Sequence, residues 1–445
     1  MKTPICEFVQ QYKESNMKRL HMPGHKGLAY LGMESYDITE IDGADSLYEA
    51  SGIIKESEEN AAVLFGTAAT FYSTEGSSQC IRAMLYLAQL HAKRNGKAQK
   101  IIAGRNAHKT FITAAALLDL DVQWLPIRQD TSYLSCAVDY EVLENYLKEE
   151  PAAAVYLTSP DYLGNTVDIE KVSALCKKHD TLLLIDNAHG AYLKFLETSR
   201  HPVDLGADLC CDSAHKTLPC LTGGAYLHIS KDKFFVENGK NALALFGSTS
   251  PSYLIMQSLD RVNAYLADGY SEKLQSFVKM AEGVRGELEA AGFEMIGDEP
   301  MKYTFATKSY GYKGTEFAEE LLKRNVVCEF ADPDFLVLML SVEMGSEGLN
   351  ELKEILCDIK KKDPVMEKPL TPHILEKRMS IRDAIFSEQE KVPVRESEGR
   401  ILAALNIGCP PAVPIVVCGE EIDAHSIRVL EYYGISECDV VKKRG

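Results

Sequence analysis

Between residues 100 and 229, short apolar runs alternate with helix-patterned segments, and few folds accept that alternation. Ile101–Ala103, residues 121–125, Ala152–Thr158 and Thr181–Ile185 are short and mostly aliphatic, as buried strands are. Leu209–Cys211 and the AYLHI run after Gly224 continue the series. The intervening segments predict helices near 111–118 and 140–149, and a third that turns Ile169, Val172, Leu175 and Cys176 inward. Strands apolar on both faces need cover on both, so the pattern predicts an α/β fold with a mostly parallel sheet between helix layers. Such sheets bind ligands beyond the carboxyl ends of their strands. Polar clusters after residues 76, 105, 158, 186 and 213 mostly fall at such ends, which predicts one composite site.

The flanking regions are less regular. Residues 4–17 have helical spacing, 21–27 form a turn-rich loop, and 37–54 are polar and irregular, an arm suited to lying across another surface. A helix near 55–65 follows, and Ser77 or Ser78 can cap another that runs to about His91. Past Gly224 come a Ser/Thr-rich loop (247–252) and a long helix from about 253 into the 280s, with a break near Gly269. Strands at 302–306, 326–331 and 335–341, a helix near 315–324 and another over 347–361 are predicted next. Residues 362–372 make a linker, and Thr371-Pro372 would open a further helix with proline at its first position. The plan is an arm (1–54), a large cofactor-binding domain (55–270), a small α/β domain (271–361) and a C-terminal domain (373–445).

A net charge of −17 and the absence of a basic run argue against nucleic acid as a partner. The 12 cysteines include no CxxC pair, which speaks against a disulfide framework or a zinc site and for a reducing compartment. The first residues lack the apolar core of a signal peptide, and no apolar span reaches membrane length, so the expectation is a cytoplasmic protein with no membrane partner. GxSxG and GxGxxG are both absent, which disfavours a serine hydrolase or a nicotinamide enzyme.

The stretch GADLCCDSAHKTLPCLTGG (206–224) carries the most chemistry. Lys216 sits among small residues just past a buried strand, where partial desolvation makes an amine a nucleophile for carbonyls. Asp186 ends an apolar strand about one strand–helix–strand step earlier. Without a second acidic ligand near it, a metal is disfavoured. Together the two suit pyridoxal phosphate, the lysine forming a Schiff base and the aspartate keeping the pyridine nitrogen protonated. Gly76-Ser77-Ser78 at a helix start offers N–H groups and hydroxyls to a phosphate, although an ordinary serine cap has the same appearance and Glu75 would repel the dianion unless it turns away. His108 at a strand end is either a loop histidine or a ring that stacks on a flat cofactor. Lys109, in the second His-Lys-Thr, is the rival Schiff-base lysine; Ser213, His215 and the spacing from Asp186 favour Lys216. His189 follows Asp186 closely and can serve proton transfer, or face solvent at a helix start.

HMPGHKG (21–27), EGSS (75–78), NAHKT (106–110), TSPDYLGNTVDI (158–169), DNAHGAY (186–192), SAHKTLP (213–219) and TSPSYLIM (249–256) resemble successive blocks of the Orn/Lys/Arg decarboxylase family, in the family's order. The resemblance covers most of the chain and is to the short form, without a receiver-like N-terminal domain. It implies a fold type I, aminotransferase-like three-layer sandwich with a smaller α+β C-terminal region. It also implies a homodimer with shared active sites, in which a basic amino acid loses CO2 to give an amine for polyamine biosynthesis. On the matching positions it implies Lys216 as the Schiff-base lysine, Asp186 on the pyridine nitrogen, His108 stacked on the ring and His189 beside the cofactor. Gly76, Ser77, Ser78, Ser213 and His215 would surround the phosphate, with Ser248 or Thr249 reaching the neighbouring subunit's phosphate. The chain departs from the family's pattern at Glu75-Gly76, at Asp45-Ser-Leu-Tyr48 and in GCPPAVP (408–414). An acidic residue should meet the substrate's distal cation, and Glu420 is the candidate. An aminotransferase or lyase on the same fold, or a non-catalytic cofactor-binding protein, are the competing readings.

Overall fold

The computed structural model describes residues 1–128, 131–371, 373–405 and 411–443. In chain order the strands are β1 (Ala69–Ser73), β2 (Lys100–Ala103), β3 (Asp121–Trp124), β4 (Ala154–Thr158), β5 (Leu182–Asp186), β6 (Leu209–Asp212) and β7 (Ala225–Ile229). Then come β8 (Met295–Ile296), β9 (Lys302–Ala306), β10 (Phe330–Ala331), β11 (Phe335–Met339), β12 (Gln389–Pro393) and β13 (Glu437–Val441). The helices of the first part are α1 (Pro4–Glu14), α2 (Ile53–Phe65), α3 (Ser77–Arg94), α4 (Lys109–Leu118), α5 (Tyr140–Glu149), α6 (Ile169–Lys178) and α7 (Ala214–Thr217). Those of the second are α8 (Lys233–Ala244), α9 (Tyr253–Ala267), α10 (Tyr270–Ala290), α11 (Gly314–Leu322), α12 (Gly345–Asp358), α13 (Ile381–Phe386) and α14 (Ala424–Tyr432). Two compact units result, residues 1–96 with 169–274, and residues 97–168 with 275–445.

In the first unit β1, β7, β6 and β5 lie side by side in that order. β5 and β6 are parallel, with Asp186 opposite Cys211, so both strands deliver their carboxyl ends to the same edge. β7 runs antiparallel to β6 and to β1, as a sheet that is mostly but not wholly parallel allows. Every residue of β6 and β7 is buried, which explains why apolar residues predominate in them. α3 packs on β5, β6 and β7 through a face that includes Cys80, Met84 and Leu87. Phe65 at the end of α2 meets Phe195, Tyr226 and His228 with ring centroids 5.4, 5.3 and 4.4 Å apart. Each fully buried aromatic of this kind is worth roughly 1.5–3 kcal/mol. α8 was not expected from the sequence. The break near Gly269 separates α9 from α10, and Gly269 itself takes φ +68°.

In the second unit β4, β2 and β3 are parallel neighbours, and β10, β11, β9 and β8 form an antiparallel sheet. Phe111 of α4 packs on Tyr156 of β4 at 4.4 Å, and Phe293 stacks on Tyr310 at 4.0 Å. A further core joins Leu134, Leu163, Val337, Ile422 and Val440. The strand expected over 326–331 reduces to Phe330–Ala331. Residues 373–380 are not helical, so the helix expected to open at Thr371-Pro372 is absent, and Pro372 itself lies outside the described residues. The helix begins instead at Ile381, where Ser380 Oγ accepts the Asp383 N–H at 2.9 Å.

Candidate active site

The first unit gathers the lysine, the aspartate and the phosphate turn at the strand ends. β6 ends at Asp212, Ser213 precedes α7, and α7 presents Lys216 with its Nζ 2.9 Å from His189 Nε2. His189 sits in the turn after β5, whose last residue, Asp186, is 2% exposed. Asp186 Oδ1 accepts the Ala188 N–H at 3.2 Å and lies 3.6 Å from Cys211 Sγ. An amine 2.9 Å from an imidazole nitrogen shares a proton with it readily, which is what a nucleophilic lysine requires.

The phosphate turn is held by backbone geometry. Gly76 takes φ +71° and ψ −179°, a combination that excludes side chains, and its N–H donates to Gly223 O at 2.7 Å. Gly223, at φ +101°, stands so close that a Cβ would meet Thr74 O at 2.8 Å. Gly76 is thus the N-cap of α3, a place expected for a serine; Ser77 is the first helical residue, and no side chain caps the end. A Cβ at Gly76 would meet nothing within 4 Å, so the turn faces open space. His215 Nδ1 lies 3.1 Å from Gly224 O and 3.3 Å from Ser213 Oγ, and burial lowers its pKa, leaving a neutral ring. Glu75 is drawn toward the 247–252 loop by the Ser248 N–H, which donates to its carboxylate. Ser248 and Thr249 are exposed.

Sequence reasoning missed Gln79. Fully buried in α3, it accepts from Ser73 Oγ at 2.6 Å and donates to Leu243 O at 2.9 Å and to Tyr48 OH at 2.8 Å. Two departures from the family's pattern therefore meet here: burial, with the Glu75 charge adding to it, raises the Tyr48 phenol. The sequence signal was present, a glutamine among apolar residues on the inward face of a helix.

His108, Lys109 and Glu420 belong to the second unit. His108 caps α4, its Nδ1 accepting the Thr110 N–H at 3.1 Å, a bond that sets the ring's orientation without using its faces. The Lys109 N–H donates to Ala412 O at 2.8 Å. One oxygen of Glu420 is already engaged, while its buried Oε1 has no hydrogen-bond partner among the described residues. Its Oε2 accepts from Arg105 Nη2 at 3.0 Å and from the Val417 N–H at 2.7 Å, and the pair is buried. Arg105 also donates to Pro414 O and Ile415 O, so the end of the GCPPAVP segment is pinned to this ion pair. Residues 408–410 of that segment lie outside the described residues.

The chain matches the major domain of Orn/Lys/Arg decarboxylases over residues 3–304 and their C-terminal domain over 363–439. It belongs to the Orn/Lys/Arg decarboxylase family. An arginine decarboxylase of Halalkalibacterium halodurans is 28% identical over 94% of this chain and 91% of its own length. One from Bacillus subtilis is 27% identical over 96% of this chain and 92% of its own. A lysine decarboxylase of Francisella novicida superposes with a TM-score of 0.80 at 16% identity, covering 99% of this chain and 81% of that one. The fold is that of the fold type I pyridoxal-phosphate enzymes, and the chain is a decarboxylase of a basic amino acid. An uncapped helix start facing open space, a buried aspartate at a strand end and a lysine beside a histidine suit that cofactor's phosphate, ring nitrogen and aldehyde in turn. Among the described residues no helix is long and apolar enough to cross a membrane.

Proposed function

We propose that the Lys216–His189 pair, beside Asp186, is where this chain removes the α-carboxylate of a basic amino acid, and that arginine is the preferred substrate. The 2.9 Å contact between Lys216 Nζ and His189 Nε2 carries the reading of the site. The choice of arginine rests on relatives named arginine decarboxylases that align along nearly the whole chain. Pyridoxal phosphate, when bound, supplies the electron sink for the pair left behind as CO2 departs. Lys216 would hold the cofactor's aldehyde end and, with His189 as its partner, would move a proton to Cα. Asp186 holds the proton on the ring nitrogen. Ser77 and Ser78, with Ser213 and His215, receive the phosphate at the start of α3.

We also propose that the working form is a homodimer. Leu20, Tyr30 and Leu31 of the N-terminal arm are 90%, 77% and 84% exposed, an apolar strip that a second copy would cover. Ser248 and Thr249 would reach the neighbouring subunit's phosphate.

The test is incubation with arginine, lysine and ornithine, measuring CO2 and amine. CO2 release fastest from arginine is expected; a keto acid without CO2 would make the chain an aminotransferase. Lys216→Ala should lose the visible absorbance of bound cofactor. Borohydride fixation of pyridoxal phosphate to that variant would move the Schiff base to another lysine.

A further inference from the structure

Asp212, the last residue of β6, is fully buried and surrounded by polar groups that the reaction as described does not use. Its Oδ2 lies 3.0 Å from His201 Nε2 and 3.0 Å from His228 Nε2, and its Oδ1 accepts from Asn187 Nδ2 at 2.7 Å. His201 and His228 are themselves fully buried.

Cys210 Sγ stands 3.8 Å from the carboxylate, so His201, Cys210 and Asp212 also have the makings of a metal set. The hydrogen bonds decide otherwise. His201 Nδ1 accepts the Val203 N–H at 3.4 Å, so its Nε2 carries the hydrogen that points at Asp212. His228 Nδ1 lies 2.8 Å from Thr70 Oγ1, a hydroxyl that can donate to it, and burial lowers the pKa of this histidine. Both imidazoles and an amide therefore donate to one carboxylate. Burial alone would raise the Asp212 carboxyl, but the two imidazoles outweigh it and hold it well below the usual range. Asp212 is therefore ionised.

That charge lies next to Asp186. Asp186 is opposite Cys211 in the β5–β6 register, so Asp212 is one residue further along the adjacent strand. Asn187, which follows Asp186, ties the two strand ends together: its side chain donates to Asp212 and its N–H to Cys211 O at 2.9 Å. The thiols of Cys80 and Cys210 are raised by burial and by both carboxylates, so both charges are felt at the same atoms.

We propose that Asp212 is a positioning residue for the ring end of the cofactor: a second buried anion, behind Asp186 and bonded to Asn187, that favours the protonated pyridine nitrogen. This rests on the reading of Asp186 given above. The groups around the pair are His201, His228, Asn187 and Cys210 at Asp212, and Cys80 and Cys211 at Asp186; Lys194, the next charge felt by His228, is matched by Asp204 at 2.7 Å. Removing a buried anion one strand away should lower the nitrogen's proton affinity by about one pH unit.

The experiment compares pyridoxal phosphate with its 1-deaza analogue, in which carbon replaces the ring nitrogen, on wild type, Asp186→Asn and Asp212→Asn. Dissociation constants are measured by equilibrium dialysis at pH 8. Asp212→Asn should weaken pyridoxal phosphate about tenfold and leave the deaza analogue unchanged. Equal weakening of both ligands, or none, would overturn the proposal while the reading of Asp186 stands, provided Asp186→Asn discriminates between them. If Asp186→Asn also fails to discriminate, the reading of the cofactor site falls and takes this inference with it. Asp212→Ser, equally neutral and smaller, gives the same comparison if Asp212→Asn does not fold.

Discussion

Arg105 and Glu420 show how far a residue's chemistry depends on its neighbours. An acidic residue late in a chain of this family invites a substrate-binding role, yet Glu420 is buried against a guanidinium that also holds Pro414 O and Ile415 O. Breaking such a pair from one side strands the other charge. Arg105→Leu should therefore cost about 3–5 kcal/mol of stability in urea unfolding, and Glu420→Gln, which keeps an acceptor for Val417 N, should cost less. A rise in KM for arginine in Glu420→Gln, with stability unchanged, would return this residue to the substrate. His189 stands in the opposite position, with its Nε2 against the Lys216 amine and little exposure to solvent. His189→Asn should retain the cofactor's absorbance but lower kcat about 10²–10⁴-fold, the worth of a placed proton donor. Loss of the absorbance instead would make His189 a binding residue.

Among the elements, those with local signals were legible: β5 in TLLLI, α6 in its inward Ile169, Val172 and Cys176, and the α9–α10 break at Gly269. Asp186 stood out because it closes an apolar run, and Lys216 because it sits among small residues just past one. What the sequence hid was non-local. The direction of β7 depends on its pairing with β6 and β1, which no pattern inside AYLHI records. Asp212 was masked by the apolar CCD run, because its partners His201 and His228 come from a loop and from another strand. The tight turn between β10 and β11 hid a titrating group in the same way. Burial pushes Asp332 up to about 7, against the N–H groups of Phe335 and Asp334, which donate to its Oδ1 at 2.7 Å. A carboxyl whose folded pKa lies above its unfolded value near 3.9 stabilises the fold below about pH 4 and loses that contribution as pH rises toward 7. Asp332→Asn imitates the protonated form. It should be more stable than wild type by about 1–4 kcal/mol at pH 8, with the difference vanishing near pH 4, as read by denaturant unfolding at the two pH values.

For the whole molecule, the exposed arm and the exposed 248–249 loop pose one question, whether a single chain completes its own site. Leu20→Glu with Leu31→Glu places charge on the apolar strip and should shift sedimentation from dimer to monomer. A mixing experiment separates a shared site from a merely adjacent one. Lys216→Ala inactivates the site that owns the lysine. Ser248→Ala with Thr249→Ala, if those hydroxyls serve the partner's phosphate, inactivates the site across the interface. In a mixed dimer one site then collects both defects and the other collects neither. Refolding equal amounts of the two inactive variants together should make half of the dimers mixed, each with one intact site, and so restore about a quarter of wild-type activity. Were each chain to build its site alone, every site would keep a defect, and the mixture would be as inactive as its parts.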